Sequence, residues 1–227
     1  MSTVFISGSI KIKSLDEKLK SRLDNVISSG VNVLIGDAGG VDKSVQQYFK
    51  ENNFPAVTVY CTGDTPRNND GAWPVINVEP PVKTKSRAYF TAKDLKMADD
   101  SDFGLMVWDC KSTGTLSNVI ELLKKNKKSV VYLSPKKAFL NISTGSELKQ
   151  LIAQMDPAAL LEADKKISLL KKVDMLSDGM PEEDESKLLN DQIQEHQHAI
   201  DTHMRAIREL QDRLEATRSP MEDMFAM

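Results

Sequence analysis

A chain of 227 residues, 40% hydrophobic and 28% charged, suits one globular domain of ordinary size with an extension. No run approaches eighteen apolar residues, which argues against a membrane-spanning helix. Cys61 and Cys110 form neither a metal-ligand spacing nor a disulfide framework, so a reduced, cytoplasmic setting is expected. Charge is uneven. Residues 1–142 carry 20 Lys+Arg against 15 Asp+Glu, a net of +5, and residues 143–227 carry 10 against 18, a net of −8. The front suits a phosphate-binding domain. The acidic back is a poor candidate for nucleic acid, and no direct nucleic-acid binding is expected. The N-terminal "MSTVFISGSIKIK" lacks the basic region and the apolar length of a signal peptide.

In chain order, "TVFISG" predicts a strand running into a glycine turn. Residues 14–27 place Leu15, Leu19, Leu23, Val26 and Ile27 at helical spacing. "VNVLIG" predicts a second strand, and "DAGGVDKSVQQYFKEN" a glycine turn opening a helix. "AVTVYC" predicts a third strand. A polar loop with Gly63, Arg67 and Gly71 precedes a possible short strand "PVINVE". Residues 83–100 read as helix, "DFGLMVW" as strand, residues 116–125 as helix and "KSVVYL" as strand. Near-continuous apolar strands alternating with helices indicate a parallel sheet covered on both faces. The expected fold is therefore α/β, a Rossmann-like doubly wound sheet of about five strands.

The pattern changes after Ser134-Pro135. Residues 143–180 read as a helical connector, with Ser143, Thr144 or Ser146 as one helix cap and Asp156 before Pro157 as another. Residues 184–217 read as one long helix, and residues 218–227 as a loose tail. In that helix Leu189, Ile193, His196, Ile200, His203, Ile207, Leu210 and Leu214 recur at alternating spacings of four and three, a heptad seam. The seam suits a homo-oligomer, or packing within the chain. His196 and His203 within it are either a pH- or metal-responsive pair or polar core residues that set register. No other metal site and no cofactor is expected.

In an open parallel sheet, ligands bind beyond the carboxyl ends of the strands. The unusual residues fall there: Ser7, Gly8 and Ser9 after the first strand, and Gly36, Asp37, Gly39, Gly40 and Asp42 after the second. Asp109, Lys111, Ser112, Thr113, Gly114 and Thr115 follow the fourth apolar run. Glycines let a ligand approach the backbone. Hydroxyls and helix-start N–H groups supply donors to an anion.

Together, "SGS", "GDAGGVDKSV", "KDLKMADDSD" and "KSTGT" resemble the SLOG superfamily, which includes the Lonely-guy phosphoribohydrolases, the Smf/DprA proteins and YspA-type domains, and shades into nucleoside 2-deoxyribosyltransferases and nucleotide N-glycosidases. The resemblance covers about residues 1–135. It implies a nucleoside phosphate ligand, with the phosphate on Ser112, Thr113, Gly114 and Thr115. Ser7, Gly8 and Ser9 would border base or sugar, and Arg87 and Lys93 would add charge. Asp94 matches an aspartate on the sugar hydroxyls, although it could simply pair with a lysine. Glycosidases of the group carry a catalytic glutamate at the position matching Asn118, and an amide cannot serve as that nucleophile. Glu121, about 300° further around the helix at 100° per residue, and Asp109 are alternative carboxylates. Three readings follow. The first is a nucleotide-binding sensor coupled to self-assembly. The second is an N-glycosidase or deoxyribosyltransferase on nucleoside 5′-monophosphates, and the third is a structural assembly protein.

Overall fold

The computed structural model describes residues 2–82, 84, 86–177, 203–205, 207–208 and 210–212. The chain forms two units, Met1–Asp178 and Gly179–Met227. In the second unit the described residues are helical, and Ile207 and Leu210 are exposed. Leu189, Ile193, His196, Ile200 and Leu214 lie outside the described residues.

The first unit is a seven-stranded sheet. β1 (Thr3–Gly8), β2 (Asn32–Gly36), β3 (Val57–Thr62) and β4 (Val75–Val78) lie on one side. β5 (Phe103–Trp108), β6 (Ser129–Leu133) and β7 (Ala138–Ile142) lie on the other, in the spatial order β4-β3-β2-β1-β5-β6-β7. The first six run parallel. β7 returns antiparallel, with Val131 opposite Leu140. The helices are α1 (Glu17–Ser28), α2 (Val41–Glu51), α3 (Arg87–Asp100), α4 (Thr113–Lys124), α5 (Gly145–Ile152), α6 (Pro157–Ile167) and α7 (Leu169–Ser177). This is the expected Rossmann-like α/β fold with two strands more than the five counted from the sequence. β4 is the short run before α3. β7 follows a 3-10 turn at Ser134–Lys136 and a left-handed Lys137 (φ 48°), which together reverse the chain just past Pro135.

The strands are apolar on successive residues because both faces are covered. Val4 and Ile6 of β1 pack with Leu19 and Leu23 of α1 and Val45 and Phe49 of α2. Phe5 between them faces the opposite layer, with Met97 of α3 and Leu116, Val119 and Ile120 of α4. α5, α6 and α7 extend that second layer through Leu148, Ala163 and Val173. Their caps follow the sequence. Thr144 forms a reciprocal capping box with Glu147, and Asp156 accepts a hydrogen bond from the Ala159 N–H at 2.8 Å.

The chain leaves β1 through a crowded point. Gly8 pairs with Val107 of β5, and the N–H of Ser9 donates to the Val107 carbonyl at 3.0 Å. A Cβ on Gly8 would lie 2.4 Å from that carbonyl oxygen and 2.7 Å from the Val41 side chain. Gly40 packs as closely on the backbone of Ile10 and has φ 71°, a conformation that glycine adopts without cost. These approaches bring the ends of β1 and β5 and the start of α2 together. Gly8→Ala is expected to lower unfolding free energy by about 1–3 kcal/mol, the usual cost of overpacking. Urea unfolding should show the lower midpoint.

Candidate functional site

Strand order reverses between β1 and β5, because β1 continues through β2 while β5 lies on its other side. Their carboxyl ends therefore open a crevice. The loop from β5 to α4 is built by its own side chains. Asp109 Oδ1 accepts the N–H groups of Lys111 at 3.0 Å and Ser112 at 2.7 Å, and Oδ2 accepts the Ser9 hydroxyl at 2.8 Å. Burial works to raise the Asp109 pKa, but these bonds outweigh it and hold the carboxyl below its ordinary value. Trp108 Nε1 donates to the Ser112 carbonyl at 3.0 Å. The hydroxyls of Ser112 and Thr115 lie 2.8 Å apart. No side chain caps the first turn of α4, and a Cβ on Gly114 would meet nothing within 4 Å. The first turn of α4 thus has no side-chain cap on its N–H groups and open space over Gly114, with the Ser112 and Thr115 hydroxyls beside it.

Beneath this loop, on the β2 side, sits a buried charge cluster. The Lys93 ammonium, with its side chain 5% exposed, is 2.9 Å from Asp94 Oδ1 and 3.9 Å from both Asp37 Oδ1 and Asp42 Oδ2. Arg67 clamps Asp37 with Nε at 2.9 Å and Nη2 at 2.7 Å, and adds its backbone N–H at 3.0 Å. Two cations face three carboxylates. Burial works against the charged form of Lys93, but Asp94 and Asp42 hold it protonated. Burial likewise opposes the ionisation of Asp37, yet Arg67 and Lys93 keep its pKa below the ordinary value. Asp42 is the surplus acid. Burial pushes its carboxyl up to about 6 against the pull of Lys93, and its buried Oδ1 has no hydrogen-bond partner. Gly36 makes room for the cluster: a Cβ there would lie 2.3 Å from Lys93 Nζ and 2.4 Å from Asp42 Oδ2.

The two parts share a cleft of about 700 Å³. Of the residues singled out in the sequence, Ser7, Gly8, Ser9, Lys93, Asp94, Ser112, Thr113, Gly114, Thr115 and Asn118 line it. Asp42, Arg67 and Lys111 line it as well, and the other candidates sit elsewhere. Asp37 belongs to the cluster and Gly36 makes room for it, but neither lines the cleft. Gly39 and Gly40 shape the turn into α2, and Asp109 is consumed inside the loop. Arg87 reaches over to the Ser117 hydroxyl at 3.0 Å, and Glu121 pairs with Lys124 at 2.9 Å outside the cleft. Asn118 is 5% exposed and donates its amide N–H to the Ser7 hydroxyl at 3.1 Å, bracing α4 against β1. His203 is exposed in the second unit.

Sequence reasoning undervalued two residues and missed a wall. Asp42 and Arg67 stood among the strand-end residues, and both line the cleft with Phe90. The wall is α6, which contributes Asp156, Ala159, Glu162 and Lys166. Lys111 of the loop pairs with Asp156 at its start, 3.2 Å away. No local pattern marks a connector helix as part of a site.

No protein-family model matches the chain, and no curated protein matches it. Among solved structures, the chain is similar to DNA processing protein A from Helicobacter pylori, in a structure of its single-stranded DNA binding mode. The likeness is 19% identity over 74% of this chain and 80% of that chain, with a TM-score of 0.46. One expectation is corrected by this finding: the absence of direct nucleic-acid binding does not stand. That exclusion leaned on the acidic residues 143–227, whereas Lys11 and Lys111 of the net-positive front line the cleft. Among the described residues, no helix is long and apolar enough to cross a membrane. The site so defined is a cleft with charged and hydroxyl side chains on its lining, at the strand-order reversal of a Rossmann-like sheet.

Asp42 provides a direct check on the cluster. Its carboxyl holds a proton in the folded chain up to about pH 6, whereas its ordinary value is 3.8. Its contribution to stability is therefore full below about pH 4 and lost as pH rises through 6. Asp42→Asn removes that loss. Relative to the wild type, the variant should gain stability between pH 4 and 7, by something on the order of 2 kcal/mol. Melting curves taken across this range that stay parallel would show Asp42 ionised throughout.

Proposed function

We propose that the cleft binds a nucleoside phosphate, with the phosphate on the loop from Ser112 to Thr115. The observation that carries this reading is the start of α4 at the strand-order reversal, where no side chain caps the helix, the space over Gly114 is open and Ser112 and Thr115 line the cleft. The helix dipole favours an anion there. The carboxylates of the cluster, Asp94 above all, suit sugar hydroxyls, since an ionised carboxylate only accepts hydrogen bonds. The SLOG resemblance of residues 1–135 points the same way.

Binding is favoured over N-glycosidic chemistry by the placement of the carboxylates. Asn118 holds the place of the expected glutamate, Asp109 is occupied by its own loop, and Glu121 points its charge to Lys124. Asp42 and Asp94 are the strand-end and family-matched carboxylates on the cleft lining, and Asp94 keeps the enzymatic reading testable. In the binding reading, occupancy is relayed to self-assembly by the heptad helix, in which Ile207 and Leu210 expose apolar side chains. A polynucleotide offers the same phosphate and base chemistry, and Lys11 and Lys111 on the lining suit a phosphate backbone.

The test is a thermal-shift series with the eight ribo- and deoxyribonucleoside 5′-monophosphates and a short oligothymidylate. At least one should raise the melting temperature saturably, because a ligand of the native state at a hundredfold excess over Kd adds about 2.7 kcal/mol. The double variant Ser112→Ala/Thr115→Ala should bind it at least tenfold more weakly while melting near the unliganded wild type. No stabilisation by any of them would defeat the proposal. Release of free base, lost in Asp94→Ala, would replace it with the glycosidase.

A further inference from the structure

The cleft holds an aromatic ring with no role in the packing of the sheet. Phe90 lies on α3, lines the cleft and is 39% exposed. Apolar rings of this size are more often covered by their own fold. Two neighbours hold it. The Tyr89 ring meets it edge-on, with centroids 5.1 Å apart and planes at 76°, and the Tyr89 hydroxyl donates to the Thr62 carbonyl at 3.2 Å. Arg67 Cζ stands over one face of the ring, 5.3 Å from its centroid. Arg67 cannot swing freely, because both Nε and Nη2 are bound to the buried Asp37. The ring is thus framed by a fixed phenol and a fixed guanidinium, with Asp94 one helical turn further along α3 on the same lining.

We propose that Phe90, framed by Arg67 and Tyr89, is the base subsite of the cleft, where a planar nucleobase stacks on the face of the ring opposite Arg67. This rests on the reading of the cleft as a nucleoside phosphate site and adds the part of the ligand that the phosphate loop does not address. Stacking is available to every base, since each has a π-face, and the guanidinium beside the ring strengthens it. The arrangement makes the site selective for a nucleoside phosphate over a bare sugar phosphate.

The experiment compares the full chain and its Phe90 variants by calorimetry with AMP, GMP, CMP, UMP and ribose 5-phosphate, the last being the same sugar phosphate without a base. In the wild type the tightest nucleotide should bind at least tenfold more tightly than ribose 5-phosphate. Phe90→Ala should weaken that nucleotide about five- to hundredfold, the range seen for loss of one base stack, and leave ribose 5-phosphate within twofold. Phe90→Leu keeps an apolar side chain without the ring and should behave like the alanine variant, and Phe90→Tyr should restore binding. Nucleotide affinity unchanged in Phe90→Leu, or an equal loss for both ligands, would overturn the base subsite while leaving a phosphate site in place. If neither nucleotide nor ribose 5-phosphate binds the wild type, both this subsite and the nucleotide reading fall together.

Discussion

The buried ammonium of Lys93 is the interaction on which the site depends. It projects from α3 into the carboxylates of Asp37 and Asp42 at the β2–α2 turn and of its neighbour Asp94, and through Asp37 it is tied to Arg67 of the loop after β3. Taking such charges out of water costs several kcal/mol per ion, and removing one member leaves the rest uncompensated. The cluster therefore couples three elements that share no local sequence. It also explains Gly36, whose missing side chain is the space the ammonium occupies. Two cations face three acids, and Asp42, whose carboxyl burial pushes up to about 6, is the acid of the cluster that keeps its proton to the higher pH.

Around that cluster the polar groups divide by task. Asp109 and Asn118 act on the protein itself. One carboxylate folds the loop that opens α4, and one amide locks α4 to Ser7. An amide at position 118 costs less to bury than a carboxylate, because it carries no charge to desolvate and finds a hydroxyl to donate to. The groups left facing the cleft are donors at its α4 end, carboxylates at its floor and an aromatic ring beside a cation at its α3 side. These are the groups that the proposed nucleoside phosphate would meet.

Much of the sheet could be read from the chain. Strands such as Thr3–Gly8 and Phe103–Trp108 are apolar on consecutive residues because helices cover both faces, and that pattern is visible without coordinates. The capping residues Thr144 and Asp156 announced their helices by local chemistry. β7 was hidden by Pro135, which reads as the end of regular structure but here begins the turn that sends the chain back along β6. The loop from Ser112 to Thr115 was legible for the same local reason as the caps: small hydroxyl residues and a glycine before a helical run.

What the sequence by itself determined was the alternation of strand and helix and the placing of small, donor-rich turns at the strand ends, since both follow from periodicities and backbone preferences that act within a few residues. The tertiary structure alone decided which side chains share the cleft. Asp37 and Arg67 are thirty residues apart, Ser9 and Asp109 a hundred, and Ser7 and Asn118 a hundred and eleven, yet each pair is hydrogen-bonded. It also withdrew Arg87 and Glu121 to partners outside the cleft and brought α6 in as a wall. Side-chain partnership in a doubly wound sheet is set by strand order and crossover, which join distant segments, so it has no signature in the spacing of residues along the chain.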